Sequence, residues 1–170
     1  KRKKVISWAL YDWANSAFAT TVMAGFFPLF FKSFWAAELS PIESTAVVGT
    51  TNSLAGLFIV LLAPILGAYS DLGKLKKKFL AFFALLGVLS TGYLYFIPQG
   101  DWVIAASLYA LAVVGFSGGN IFYDSLIVSI SKQDQRNKVS SLGFSMGYLG
   151  GGLLFVINVL MYLKPTWFGL

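Results

Sequence analysis

The 170-residue sequence contains no cysteine and no histidine. Their absence excludes disulfides, thiol catalysis, Cys/His metal sites and histidine proton relays. Charge is scarce too: 12% of the residues are Asp, Glu, Lys or Arg, against about 25% in a soluble domain. A chain with so few charges lacks the solvated face that water requires. No phosphate-binding loop of the G-x-x-x-x-G-K-[ST] type occurs, so nothing here points to nucleotide drive. Without a Ser/His, Cys/His or metal-ligand set, the chain is expected to be no enzyme and to hold neither metal nor cofactor.

What is present is apolar: 57% of the residues are hydrophobic, including 16 Phe, 8 Tyr and 5 Trp, and the mean hydropathy is +0.73. Five long apolar segments cover residues 5–35, 45–70, 79–100, 102–131 and 139–163. Asp12 and Lys32 interrupt the first and Asp124 the fourth; the others carry no charge. About 20 apolar residues cross roughly 30 Å of hydrocarbon as a helix, and every segment reaches that length. The expected fold is therefore an all-α membrane protein with five transmembrane helices. The basic start leads straight into a long apolar run, so no cleavable signal is expected. No Met opens the sequence, and a trimmed N-terminus is expected.

The net charge of +6 could suggest nucleic acid, but its placement suggests a membrane topology instead. With the N-terminus in the cytoplasm, the inner connections hold Lys1, Arg2, Lys3, Lys4, Lys74, Lys76, Lys77, Lys78, Lys132, Arg136 and Lys138. The outer ones hold Lys32 and Lys164. Such an excess on one side is the positive-inside pattern. The outer connections are "AELSPIES" (residues 37–44), with Glu38 and Glu43, and the tight turn "PQGDW" (residues 98–102). Trp35, Trp102 and Trp167 fall near the outer interface, where indoles are favoured. The expected location is an integral membrane, either a bacterial inner membrane or a vacuolar or other organelle membrane, with the lipid bilayer as partner and no nucleic acid.

Asp12 and Asp124 are the two acids inside the apolar segments. An ionisable group at the membrane centre costs about 2.5–3.5 kcal/mol on insertion scales, so it faces a cavity or a partner. Asp12 lies eight positions after Lys4, and Asp124 eight before Lys132, which puts both about 12 Å from the basic band. Asn15 and Tyr11 accompany Asp12, Asn120 and Tyr123 accompany Asp124, and Asn52 adds a polar group to the second span. Two readings stand. Either these groups hydrogen-bond neighbouring helices, or they line a pathway for a small-molecule substrate, where a carboxyl that gains and loses a proton couples proton flow to transport.

The fifth segment places Gly143, Gly147 and Gly151 at four-residue spacing on one face, a surface for close helix packing or for sliding. Gly49, Gly56 and Ala63 suggest a similar ridge on the second span. Gly115, Gly118 and Gly119 are expected to loosen the fourth, and Pro28 and Pro64 to kink their helices.

Between the second and third spans runs "GAYSDLGKLKKK" (residues 67–78). Gly67, Asp71, Gly73, Lys74, Lys76 and Lys77 resemble the cytoplasmic loop signature of the major facilitator superfamily. In this pattern the glycines allow a tight turn, the aspartate can cap a helix N-terminus, and the lysines hold the loop inside. The pattern departs from that family at Leu72, where a basic residue usually follows the aspartate. The second glycine also comes one position early, and the usual span-four arginine is missing.

"WALYDWANSAFATTVMAGFFPLFF" (residues 8–31) and "SSLGFSMGYLGGGLLF" (residues 140–155) are similar to the vacuole effluxer-like branch of that superfamily. At residues 127–131, "IVSIS" stands where that branch has a Pro-acidic pair. The resemblance implies five helices of an N-terminal six-helix bundle, with the first and fourth lining a central cavity. It implies a secondary transporter for a small solute, amino acids among the candidates, working by alternating access. It also implies a partner: the remaining half of the transporter or a second copy of the chain. The alternative is a non-transporting membrane subunit or assembly scaffold. An ending after five spans is expected of a fragment.

Overall fold

The computed structural model describes residues 2–72 and 75–169, the side chains of residues 69–72 excepted. All regular structure among them is helical. The first stretch runs as α1 (Arg2–Ala17), a π-helical segment π1 (Phe18–Phe26), α2 (Phe27–Phe30) and a second π segment π2 (Phe31–Trp35). Then come α3 (Pro41–Leu72), α4 (Lys76–Tyr93), α5 (Trp102–Ile130) and α6 (Arg136–Leu163). Five helical stretches among the described residues are long and apolar enough to cross a membrane. In lipid each backbone polar group must be satisfied within the protein, and a helix does so within its own segment.

The helix boundaries have identifiable causes. At the head of α3, Ser40 and Glu43 form a reciprocal cap. The Ser40 backbone N–H donates to Glu43 Oε2 at 2.8 Å, and the Glu43 N–H donates to Ser40 Oγ at 3.3 Å. Pro41 fills the first helical position, where a missing N–H costs nothing. In the first stretch, Pro28 cannot donate, and its ring crowds the carbonyl four residues back. Wide turns flank it on both sides, and the Phe27 N–H reaches back five residues to Val22 O. Pro64, by contrast, lies inside an uninterrupted α3. The turn after α4 depends on Gly100, whose φ of +91° disfavours any side chain.

The chain divides into two compact units. One holds the residues up to Phe27 together with those from Ile127 onward; the other is Pro28–Leu126.

In the first unit, α1 and π1 pack along α6. Phe26 and Phe155 bring their rings to 6.1 Å. In the second, α4 and α5 close on each other around small residues. Gly115 is buried against Gly87, and a Cβ in its place would sit 2.7 Å from the Phe83 carbonyl oxygen. Gly118 opposes the Phe83 ring, where a Cβ would lie 2.6 Å from Cε1. Gly119 is buried as well. These glycines therefore mark where α5 meets its neighbour most closely, and they do not loosen it. Phe122 stacks on Phe79 at 5.1 Å and on Phe83 at 5.8 Å, filling the space beside them. Gly49 and Gly56 have open space where a Cβ would be, so among the described residues no helix packs on that ridge.

A knot of contacts joins the two ends of the second unit's helices. Trp35 is buried and donates its indole N–H to the Ile97 carbonyl at 3.1 Å. The Gly100 N–H donates to Phe34 O at 3.3 Å. Phe30, Phe34 and Trp35 cluster there, Trp35 meeting Phe30 edge-on at 4.8 Å.

Candidate functional site

Asp12 lies in α1, on the face turned to α6. Its Oδ1 accepts a hydrogen bond from Ser16 Oγ at 2.9 Å, one helical turn away. Opposite stands Gly147. A Cβ there would lie 2.6 Å from Ser16 Oγ and 3.0 Å from both Asp12 Cγ and Oδ1. The absent side chain at position 147 is what gives the carboxylate room. One further turn on, Thr20 Oγ1 lies 3.2 Å from its own helix's Ser16 O and 3.1 Å from Gly151 O on α6. A Cβ at Gly151 would lie 3.0 Å from Ser16 O and from Thr20 Oγ1. Gly143, Gly147, Gly150 and Gly151 are all buried.

The sequence treats the acid and the glycine stripe as separate features, and the structure makes them two sides of one contact. It also adds residues that the sequence reading passed over. Ser16 and Thr20 follow Asp12 at four and eight positions, a legible helical series. Gly150, seven positions after Gly143, packs directly against the Trp13 backbone carbonyl and is the tightest point of the interface. Tyr11 and Asn15 are half-buried on the same helix.

The remaining polar candidates belong to the second unit. Tyr109, fully buried, donates its hydroxyl to Asn52 Oδ1 at 3.1 Å, joining α5 to α3. Asn52 thus bonds a neighbouring helix, through a tyrosine not singled out from the sequence. On α5, Tyr123 is buried, Asn120 half-buried and Asp124 exposed. Asp12 and Asp124 therefore fall in different units. A recess of about 230 Å³ opens between the end of the first stretch and the start of α3, lined by Lys32, Ser44, Thr45, Val48 and Asn52 among others.

In the loop motif, Gly67 lies in α3, and a Cβ added there would meet nothing within 4 Å. Asp71 is helical, in the last turn of α3, while Leu75 holds the N-cap position of α4 and makes no side-chain cap. The expected capping role of the aspartate rests on a side chain outside the described residues. The Asp71 side chain, Gly73 and Lys74 lie outside the described residues. Lys76 and Lys77 open α4, where cations oppose the helix dipole, so helix electrostatics does not explain their position. No group of three or more metal-ligating side chains occurs among the described residues.

The chain is 41% identical over 162 residues to "Uncharacterized MFS-type transporter YxiO" of Bacillus subtilis (strain 168). It is 27% identical over 159 residues to an uncharacterized protein of Aquifex aeolicus (strain VF5). These matches cover 95% and 92% of this chain but 38% of each relative, so the chain spans well under half the length of the curated relatives it matches. No solved structure matches it. The family model for "Vacuole effluxer Atg22 like" matches residues 34–134, more than half of the sequence, and the chain belongs to that family.

Proposed function

We propose that this chain forms part of a secondary transporter that moves a small solute across a membrane by alternating access, with Asp12 as a proton-coupling group. One observation carries the proposal: an ionisable carboxylate inside the first span is set against Gly147 and held by Ser16. A charge at that depth costs about 2.5–3.5 kcal/mol on insertion scales, and a helix pair that needed only adhesion would be more stable without it. Protonation turns the Asp12 carboxyl from an acceptor into a donor. That rewrites its bond to Ser16 at the point where α1 and α6 touch, and a glycine face lets one helix slide on the other.

Support for transport comes from the family and from the transporter name carried by the Bacillus relative. Asp124 and Asn120 on α5 are the proposed counterparts along the route. The basic excess in one set of connections supports a cytoplasmic N-terminus, and the two bacterial relatives support a bacterial inner membrane. Amino acids lead the list of solutes to test. The partner is the remainder of the transporter or a second copy.

The test is uptake by the full-length protein in liposomes carrying an imposed pH gradient. Asp12→Asn and Asp124→Asn are each expected to lower gradient-driven flux by about tenfold or more, the loss associated with a missing acid–base group. Membrane insertion and thermal stability should stay near the parent values. Full gradient-driven flux in Asp12→Asn would remove proton coupling through this residue.

A further inference from the structure

Lys32 is the one cation inside the first apolar segment. It lies in π2, and its side chain borders the recess of about 230 Å³ at the α3 end of this stretch. Lys32 is exposed, near the outer end of the first span, where a lysine can reach the interface. Lys32 makes no ion pair among the described residues. Of the two nearest acids in sequence, one is bonded elsewhere and the other points away. Glu43 is taken up by the Ser40 cap, and Glu38 reaches towards Gly100, where its Oε1 would be 3.4 Å from a Cβ.

The other walls of the recess add polar groups beside the lysine and no acid. Asn52 has its carbonyl oxygen committed to Tyr109, which fixes the amide orientation and leaves the NH2 group as donor. That NH2 makes no hydrogen bond among the described residues. The Ser44 and Thr45 hydroxyls give their protons to Pro41 O, at 3.2 and 2.7 Å, so towards any further group they can act only as acceptors; Ser44 is almost wholly buried and Thr45 exposed. The recess thus offers a cation and an amide donor together with two acceptors. Its volume lies below the roughly 300–1,000 Å³ of pockets that take drug-sized ligands.

We infer that this recess is a binding site for a small soluble carboxylate that also carries a hydrogen-bond donor. The carboxylate lies between the Lys32 ammonium and the Asn52 amide, and the donor faces Ser44 and Thr45. This goes beyond the transport proposal, and its test reads occupancy and not flux, so failure of either leaves the other standing.

The chain carries no cysteine of its own, so a single reporter thiol can be placed in the recess. In full-length protein in phosphatidylcholine nanodiscs, Val48→Cys is modified by a neutral maleimide and the rate is followed against added glycolate or its neutral amide, glycolamide. Glycolate is expected to slow modification and glycolamide to leave it unchanged. Adding Lys32→Gln should raise the protecting glycolate concentration about tenfold, the loss of one charge-assisted hydrogen bond, and Lys32→Arg should restore it. Equal protection by glycolamide, or protection indifferent to Lys32→Gln, would overturn the site and leave Lys32 as a lysine extended to the interface. Protection that appears only in phosphatidylglycerol discs, with or without glycolate, would assign the recess to a lipid headgroup and overturn the soluble ligand.

Discussion

The glycines of α6 carry no Cβ, and along this helix the effect of adding one changes sign within three positions. At Gly150 a methyl group would run into the Trp13 carbonyl, which is backbone and cannot turn aside. At Gly152 nothing lies within 4 Å. Gly150→Ala is therefore expected to destabilise by about 1–3 kcal/mol through overpacking. Gly152→Ala should stabilise by up to about 1 kcal/mol, since Ala is the better helix former. Thermal melts of the two variants in detergent check the opposite signs. Tyr109→Phe is a second test at this scale. It removes the hydroxyl that holds Asn52, should cost about 1 kcal/mol, and should free the amide to rotate. The polar residues themselves were legible as sequence because each breaks an apolar run. Their partners were not: Asp12 meets Gly147 across 135 positions of chain, and nothing local to either residue encodes the other.

The elements of this chain are set by their ends as much as by their apolar middles. Ser40-Pro41-Ile42-Glu43 carries the full signature of a helix start, and the structure shows both of its reciprocal bonds. Taken as an acidic outer loop, that stretch concealed the cap. Ser40→Ala is expected to cost about 0.5–2 kcal/mol, read as a lowered melting temperature, whereas Glu43→Gln keeps an acceptor in place and should cost less. The π turns on both sides of Pro28 are a different matter. Proline announces a disturbance, but whether it becomes a kink or a widened turn depends on what packs beside it. At Pro64 no widened turn forms, and α3 runs unbroken from Pro41 to Leu72. The glycines of α5 teach the same lesson. Gly115 and Gly118 look like weak points in a helix, and they are its contact points with Phe83 and Gly87.

Across the whole molecule, the alternation of apolar runs and basic connections predicts sidedness. Lys77 and Asp101 are both exposed and flank the third span. Lys77→Cys and Asp101→Cys in full-length protein should react with a membrane-impermeant thiol reagent from opposite faces of the bilayer. Reaction from the same face would overturn the five-span topology.

Helical class, number of spans and family were open to inference from the sequence alone, because a helix satisfies its backbone within its own segment and segment length is a local quantity. Which face of each helix meets which neighbour was decided only in three dimensions. Periodicity names a face but not its partner, and between helices in lipid, where no hydrophobic force selects a match, fit between surfaces makes the choice. That is why Asp12 and the α6 glycines, each visible in the sequence, became one site only in the folded chain, and why the Lys32 recess depended on knowing where Glu38, Glu43 and Tyr109 had gone.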